Sequence, residues 1–272
     1  MHYKTVILEK KDMIATITLN RPEVNNAFDL PMQGEIDTVI DEVAQDTGIR
    51  VVILTGAGKA FCTGGDISFL ESLIGEAGRA AFVRTTMGDM VRKYRSVPAV
   101  VLKIRNMTKP VIAAVNGVAA GGGMGLALAC DMRIASDKAR FSSIFIKRGV
   151  IPDCAASYNL PRLVGMAKAC ELVLTGRVVS AQEAERIGLI NKVVPHDELM
   201  KATREFAGEI ALNPPLAVGL AKAALYRGML ETDMAAHMDF ENHTQNALMG
   251  TKDFKVGIDS FLEKREPVFK GE

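Results

Sequence analysis

The chain has 272 residues, 48% of them hydrophobic and 24% charged, with 33 basic and 32 acidic side chains and a formal net charge of +1. That length holds one large core, or a core with a small appendage, and the near-neutral balance gives no electrostatic case for a nucleic-acid or anionic-membrane partner. No run approaches the ~18 apolar residues of a membrane-spanning helix, and Met1 to Lys4 leads into a strand pattern rather than a signal peptide, so a cytoplasmic protein is expected.

In chain order, Ile14 to Leu19 alternates and is rich in β-branched residues, which predicts a strand, and Val51 to Leu54 predicts another. Between them Ile36, Val39, Ile40, Val43 and Ala44 fall on one face of a helix. Lys109-Pro110 introduces a third strand, Val111 to Val115, which runs into a glycine cluster, a helix, and then Met132 to Ala135. This alternation predicts an α/β architecture with helices packed on sheets. From about 196 the pattern is almost wholly helical, over 197–211, 215–229 and two segments within 232–264. The division expected is a core over 1–195 and a helical appendage over 196–272.

Cys62, Cys130, Cys154 and Cys170 form no Cys-x-x-Cys pair and read as small buried apolar residues. His2, His196, His237 and His243 include no i, i+4 pair, so no metal is implied.

The chemistry concentrates in two glycine turns. In Gly117 to Asp131 the run Gly121-Gly122-Gly123 opens an apolar helix. Glycines there let main chain approach a ligand, and the first helical amides have no internal partner and sit at the positive dipole end. A P-loop is excluded because Leu126-Ala127 stands where Lys-Ser/Thr belongs, and a dinucleotide fingerprint because Leu126 stands where its last glycine belongs. A second turn, Lys59 to Ile67, contains Gly64-Gly65 and follows the strand Val51 to Leu54. Two such turns can each aim one amide at a single carbonyl oxygen, which is the construction of an oxyanion hole. Asp66 also reads as the N-cap of the next helix.

With these turns placed, the chain resembles the crotonase superfamily, the enoyl-CoA hydratase and isomerase family, over nearly its whole length. The resemblance rests on Leu19-Asn20-Arg21-Pro22 with Asn26-Ala27, on Ala60 to Asp66, and on Lys109 to Gly117 running into Gly121-Gly122-Gly123. It continues through Leu174-Thr175-Gly176 and Ala181 to Ala184 and ends in Phe261 to Phe269. It implies a ββα spiral core with a C-terminal helical trimerisation region, a homotrimer or dimer of trimers, and acyl-CoA thioester substrates with no cofactor beyond the CoA they carry. By position, the Gly65 and Gly122 amides form the oxyanion hole. CoA lies along Val24 and Asn26 and along Ala60, Gly64, Asp66 and Ile67, while Phe261 and Lys264 reach CoA from a neighbouring subunit.

Hydratases of the family carry two glutamates, and these positions align with Gly125 and Phe145. An acid stands nearby at Asp153, in Gly149 to Tyr158. Local sequence makes Asp153 a helix N-cap as readily as an acid/base. The resemblance points to chemistry, because Asp occurs there in members that move double bonds in enoyl- or dienoyl-CoA. It also occurs in 4-chlorobenzoyl-CoA dehalogenase, but that enzyme's helping histidine has no counterpart, since residues 84 to 108 lack His. An apolar pocket formed by Phe145, with Tyr158 lining it, is expected to raise the Asp153 pKa. The leading expectation is an enoyl-CoA or dienoyl-CoA isomerase with Asp153 as proton shuttle. The alternatives are a hydratase or dehydratase working with this one carboxylate, and a noncatalytic CoA-binding scaffold. Segment 67 to 105 is expected to set the shape of the acyl pocket.

Overall fold

The computed structural model describes residues 3–72, 75, 80 and 97–272. Ten strands, all among the described residues, divide between two sheets. They are β1 (Val6–Lys11), β2 (Ile14–Leu19), β3 (Val51–Gly56), β4 (Ala60–Cys62), β5 (Val111–Val115), β6 (Val118–Ala120), β7 (Met132–Ser136), β8 (Arg140–Ser142), β9 (Val178–Ser180) and β10 (Lys192–Val194). One sheet has the order β1-β2-β3-β5-β7-β10 and the other β4-β6-β8-β9.

The helices are α1 (Leu30–Gln45), α2 (Ile67–Ser72), α3 (Val97–Asn106), α4 (Gly122–Ala129), α5 (Ala156–Val164), α6 (Met166–Thr175), α7 (Ala181–Arg186), α8 (Leu199–Ala211), α9 (Pro215–Gly228), α10 (Met234–Met249) and α11 (Lys252–Glu263). Successive pairs β3-β4, β5-β6 and β7-β8 each place one strand in the larger sheet and the next in the smaller. This stepping is the ββα spiral expected from the resemblance.

Parallel pairing explains the patterning. β5 lies between β3 and β7, parallel to both, and its residues are all buried, so its sequence is a continuous apolar run rather than an alternating one. Within β3 the period of two still sorts side chains. Val52 and Leu54 enter the main core with α1, whereas Val51 and Ile53 face Leu199, Ala207 and Ala211 of α8. α1 is capped by Asp29, which accepts from the Met32 amide at 2.8 Å, and buries Ile36, Val39, Ile40 and Val43. Ala44, expected on that face, is exposed at the helix end.

The first α-helix beyond residue 195 packs in the core. α8 covers the second face of the larger sheet and belongs to the core, because the apolar side of that sheet needs a cover. The helical arm beyond it starts at α9, which is tied down by Lys222. That ammonium donates to the carbonyls of Ile104 and Lys109 and pairs with Asp131 at 2.8 Å. The end of the chain returns to the core, where Arg50 donates to the carbonyls of Ala211 and Phe269. Among the described residues, no helix is long and apolar enough to cross a membrane.

Candidate active site

The first glycine turn is held open by Phe28. Its amide donates to the Gly64 carbonyl at 2.7 Å, and its carbonyl accepts from the Asp66 amide at 2.9 Å. This single parallel bridge pairs Phe28 with Gly65 and uses the groups on either side of Gly65, so the Gly65 N–H points away from Phe28. Gly64 has φ +92°, a conformation suited to glycine, and Gly65 itself is exposed.

The second turn begins α4. Gly121, at φ +53°, precedes the helix and donates to the Ser142 carbonyl at 3.0 Å. Gly122 is the first helical residue, so its N–H has no partner within the helix and lies at the positive end of the dipole. Among the described residues, neither the Gly65 nor the Gly122 N–H donates to a protein acceptor. The two turns touch, since a Cβ placed on Gly64 would lie 3.1 Å from the Gly122 nitrogen. α4 is buried on every side, and a Cβ on Gly123 would come within 2.1 Å of the Cys62 carbonyl oxygen, so only glycine lets this helix start so close to the first turn.

The loop before α1 braces the first turn from below. Asn26 is fully buried and donates to the carbonyls of Ala57 and Ala60, and Arg21 pairs with both Asp66 and Asp29. Asp66 accepts from the Ser68 amide and hydroxyl at the start of α2, as an N-cap does. The Ser68 hydroxyl, its amide and Arg21 hold the Asp66 carboxyl below the usual range against the opposing effect of burial. The side chains of Asn26 and Asp66 are thus committed to the scaffold, and Ala60 is buried. Val24 and Ile67 are exposed.

Phe145 is buried in the short 3-10 turn Ile144–Arg148, with its ring edge 4.0 Å from a Cβ placed on Gly121. Asp153 departs from both readings of its surroundings. It is exposed in the single chain rather than enclosed with Phe145, and it does not cap α5, whose N-cap is Ala155. Tyr158 lines a cavity of about 600 Å³ between α3, α5 and α9, with Arg105, Lys222 and Tyr226. Among the described residues, the walls of that cavity include neither Phe145 nor the glycine turns. The Tyr158 ring is also covered by Arg162 at 3.7 Å.

Phe261 and Lys264 stand at the end of α11, both exposed, with Lys264 in the left-handed conformation that terminates the helix. Much of segment 67 to 105 lies outside the described residues. Cys170 is exposed, while Cys62, Cys130 and Cys154 are buried as expected. Sequence reasoning missed Cys154, which packs against the start of α4, because nothing in Asp-Cys-Ala signals a left-handed turn. Phe28 was missed for a similar reason, as its role is a backbone bridge without a side-chain signature.

The family model described as enoyl-CoA hydratase/isomerase matches residues 9–272. The short-chain-enoyl-CoA hydratase of Clostridium acetobutylicum is 40% identical, over 98% of this chain and 97% of that one. The 1,2-epoxyphenylacetyl-CoA isomerase of Escherichia coli is 36% identical, over 95% of each. The crystal structure of an enoyl-CoA hydratase from Bacillus anthracis superposes with a TM-score of 0.89 at 35% identity, covering 99% of this chain and all of that one. By sequence and by fold, the chain belongs to the enoyl-CoA hydratase/isomerase family of the crotonase superfamily, enzymes that act on CoA thioesters.

Proposed function

We propose that the protein is an enoyl-CoA or dienoyl-CoA isomerase in which Asp153 carries the proton and the Gly65 and Gly122 amides hold the thioester oxygen. The observation that carries this reading is the closure of the Gly125 site. A Cβ there would lie 2.7 Å from the Cys154 Cβ and 2.9 Å from its carbonyl oxygen, so this backbone has no room for the carboxylate a two-glutamate hydratase would place at 125. The other position holds Phe145. Among the described residues, Asp66 is committed to Ser68 and Arg21, and Asp153 is an acid whose main-chain carbonyl lies 3.4 Å from the Gly125 position.

One carboxylate is sufficient for a 1,3-proton shift. Asp153 takes the α-proton of a 3-enoyl thioester, the electron pair moves through the conjugated system onto the thioester oxygen, and Gly65 and Gly122 stabilise that dienolate. The proton returns to the γ-carbon to give the 2-enoyl ester. Each oxyanion donor contributes about 2.7–4 kcal/mol, and a positioned acid/base about 10² to 10⁴ in rate. CoA runs along the main chain of residues 24–26 and 60–67, enters as part of the substrate, and is reached by Phe261 and Lys264 of a neighbouring subunit in a trimer or pair of trimers.

Asp153→Asn should abolish exchange of the α- and γ-protons with deuterated water, a loss of about 10² or more. Exchange at the full wild-type rate would end the assignment. A second reading is a hydratase or dehydratase with Asp153 alone activating water, favoured by the 40% identity to a protein named as a short-chain-enoyl-CoA hydratase. Incorporation of water's oxygen separates it from isomerisation. A noncatalytic CoA-binding scaffold would give neither exchange nor product.

A further inference from the structure

The residues beside Asp153 have a backbone that needs explaining. Cys154 and Ala155 both adopt positive φ, +49° and +55°, a region that side chains with a Cβ avoid. Such conformations persist where the surroundings over-determine them. Here the surroundings are a notch in α4. Gly122 and Gly125 are three residues apart and face the same side of the helix. Cys154, 5% exposed, fills the space beside them, with its Sγ 3.4 Å from a Cβ placed on Gly122 and its Cβ 2.7 Å from one placed on Gly125. The Asp153 carbonyl, 3.4 Å from the same Gly125 position, accepts from the Ala156 amide at 2.8 Å, so the wedge also fixes where α5 starts.

We propose that Cys154 is a positioning residue, seated in the Gly122–Gly125 notch to fix the direction of the Asp153 carboxylate relative to the Gly122 amide. The pair also acts as a specificity determinant, because the same side chain excludes a carboxylate from 125. The thiol is suited to this as a neutral plug. Burial, and then the charge and hydrogen bond of Asp153, push it well above its ordinary value, so it stays protonated. It is therefore a packing group rather than a nucleophile.

This inference rests on Asp153 as the acid/base. The test uses the full-length protein and follows α-proton exchange of a 3-enoyl-CoA in deuterated water, with kcat, KM, the pH–rate profile and the unfolding midpoint. Gly125→Ala should lower kcat about tenfold or more, since a small misplacement of a reacting group costs that much. KM should stay within about twofold, because uniform substrate binding is untouched, and the acid limb of the profile should move. Adding Cys154→Gly to Gly125→Ala removes the Cβ at 2.7 Å, tolerates the left-handed φ, and should recover part of the loss. Cys154→Ser should retain most activity.

An unchanged kcat and pH profile in folded Gly125→Ala would overturn the proposal. If that variant fails to fold, Cys154→Ala decides on the same two readouts, since it deletes only the sulfur. If Asp153→Asn keeps full exchange, the acid/base reading itself is wrong. If Asp153→Asn abolishes exchange while the 125 and 154 variants behave as wild type, only the positioning claim falls.

Discussion

At the scale of single residues, the proposed chemistry turns on groups whose side chains do little. Gly65 and Gly122 present main-chain N–H groups, and Gly125 matters for the side chain it lacks. The two turns that carry them were legible in the sequence, because a glycine run before a helix has few structural purposes. The surroundings of Asp153 were not legible. Its local sequence resembles a helix cap, but the left-handed Cys154 and Ala155 move the cap to Ala155 and leave Asp153 outside it. Asp66 shows the opposite case, where the cap was readable and is present. Because its folded pKa is depressed, it adds stability that is complete above the ordinary Asp value of about 3.9 and is lost as pH falls through the lower folded value. Asp66→Asn should lower the unfolding midpoint at neutral pH and flatten the acid dependence below about pH 4. An acid-unfolding profile identical to wild type would remove Asp66 from the account.

At the scale of elements, strands and helices followed their periodicity where one face or both were uniformly buried. β5 read as a strand because parallel neighbours on both sides leave no solvent face. α8 was assigned to the appendage because an amphipathic helix looks the same whether it covers its own sheet or another subunit. The anchor of α9 was equally hidden, being an ion pair between positions far apart in sequence. Asp131 accepts from Lys222, Tyr226 and the Val111 amide, and Arg105 lies over the Tyr226 ring at 3.6 Å. Burial holds the Lys222 ammonium pKa down while Asp131 opposes that shift. Lys222→Ala leaves Asp131 without its cation and should cost about 3–5 kcal/mol in denaturant unfolding. A change under about 1 kcal/mol would mean that the pair is not a structural anchor.

At the scale of the whole molecule, the arm from α9 onward leaves large apolar side chains uncovered. Leu225 is 74% exposed, Met234 77% and Phe261 82%, and α10 has no buried residue. The proposed trimer would cover this apolar surface. The full-length protein should sediment at about three times the 29.3 kDa chain mass or a multiple of it, and Leu225→Glu with Met234→Glu should shift it toward monomer. A wild-type monomer at micromolar concentration would contradict that assembly. The central claim, that one carboxylate and two amides move a double bond without adding water, is tested most directly by the product itself. Wild-type protein is given a straight-chain 3-enoyl-CoA in deuterated, oxygen-18 water, and the product is read by mass and by position of label. The account expects the 2-enoyl isomer, labelled with deuterium and free of heavy oxygen. A 3-hydroxyacyl product carrying oxygen-18 as the main species would contradict it.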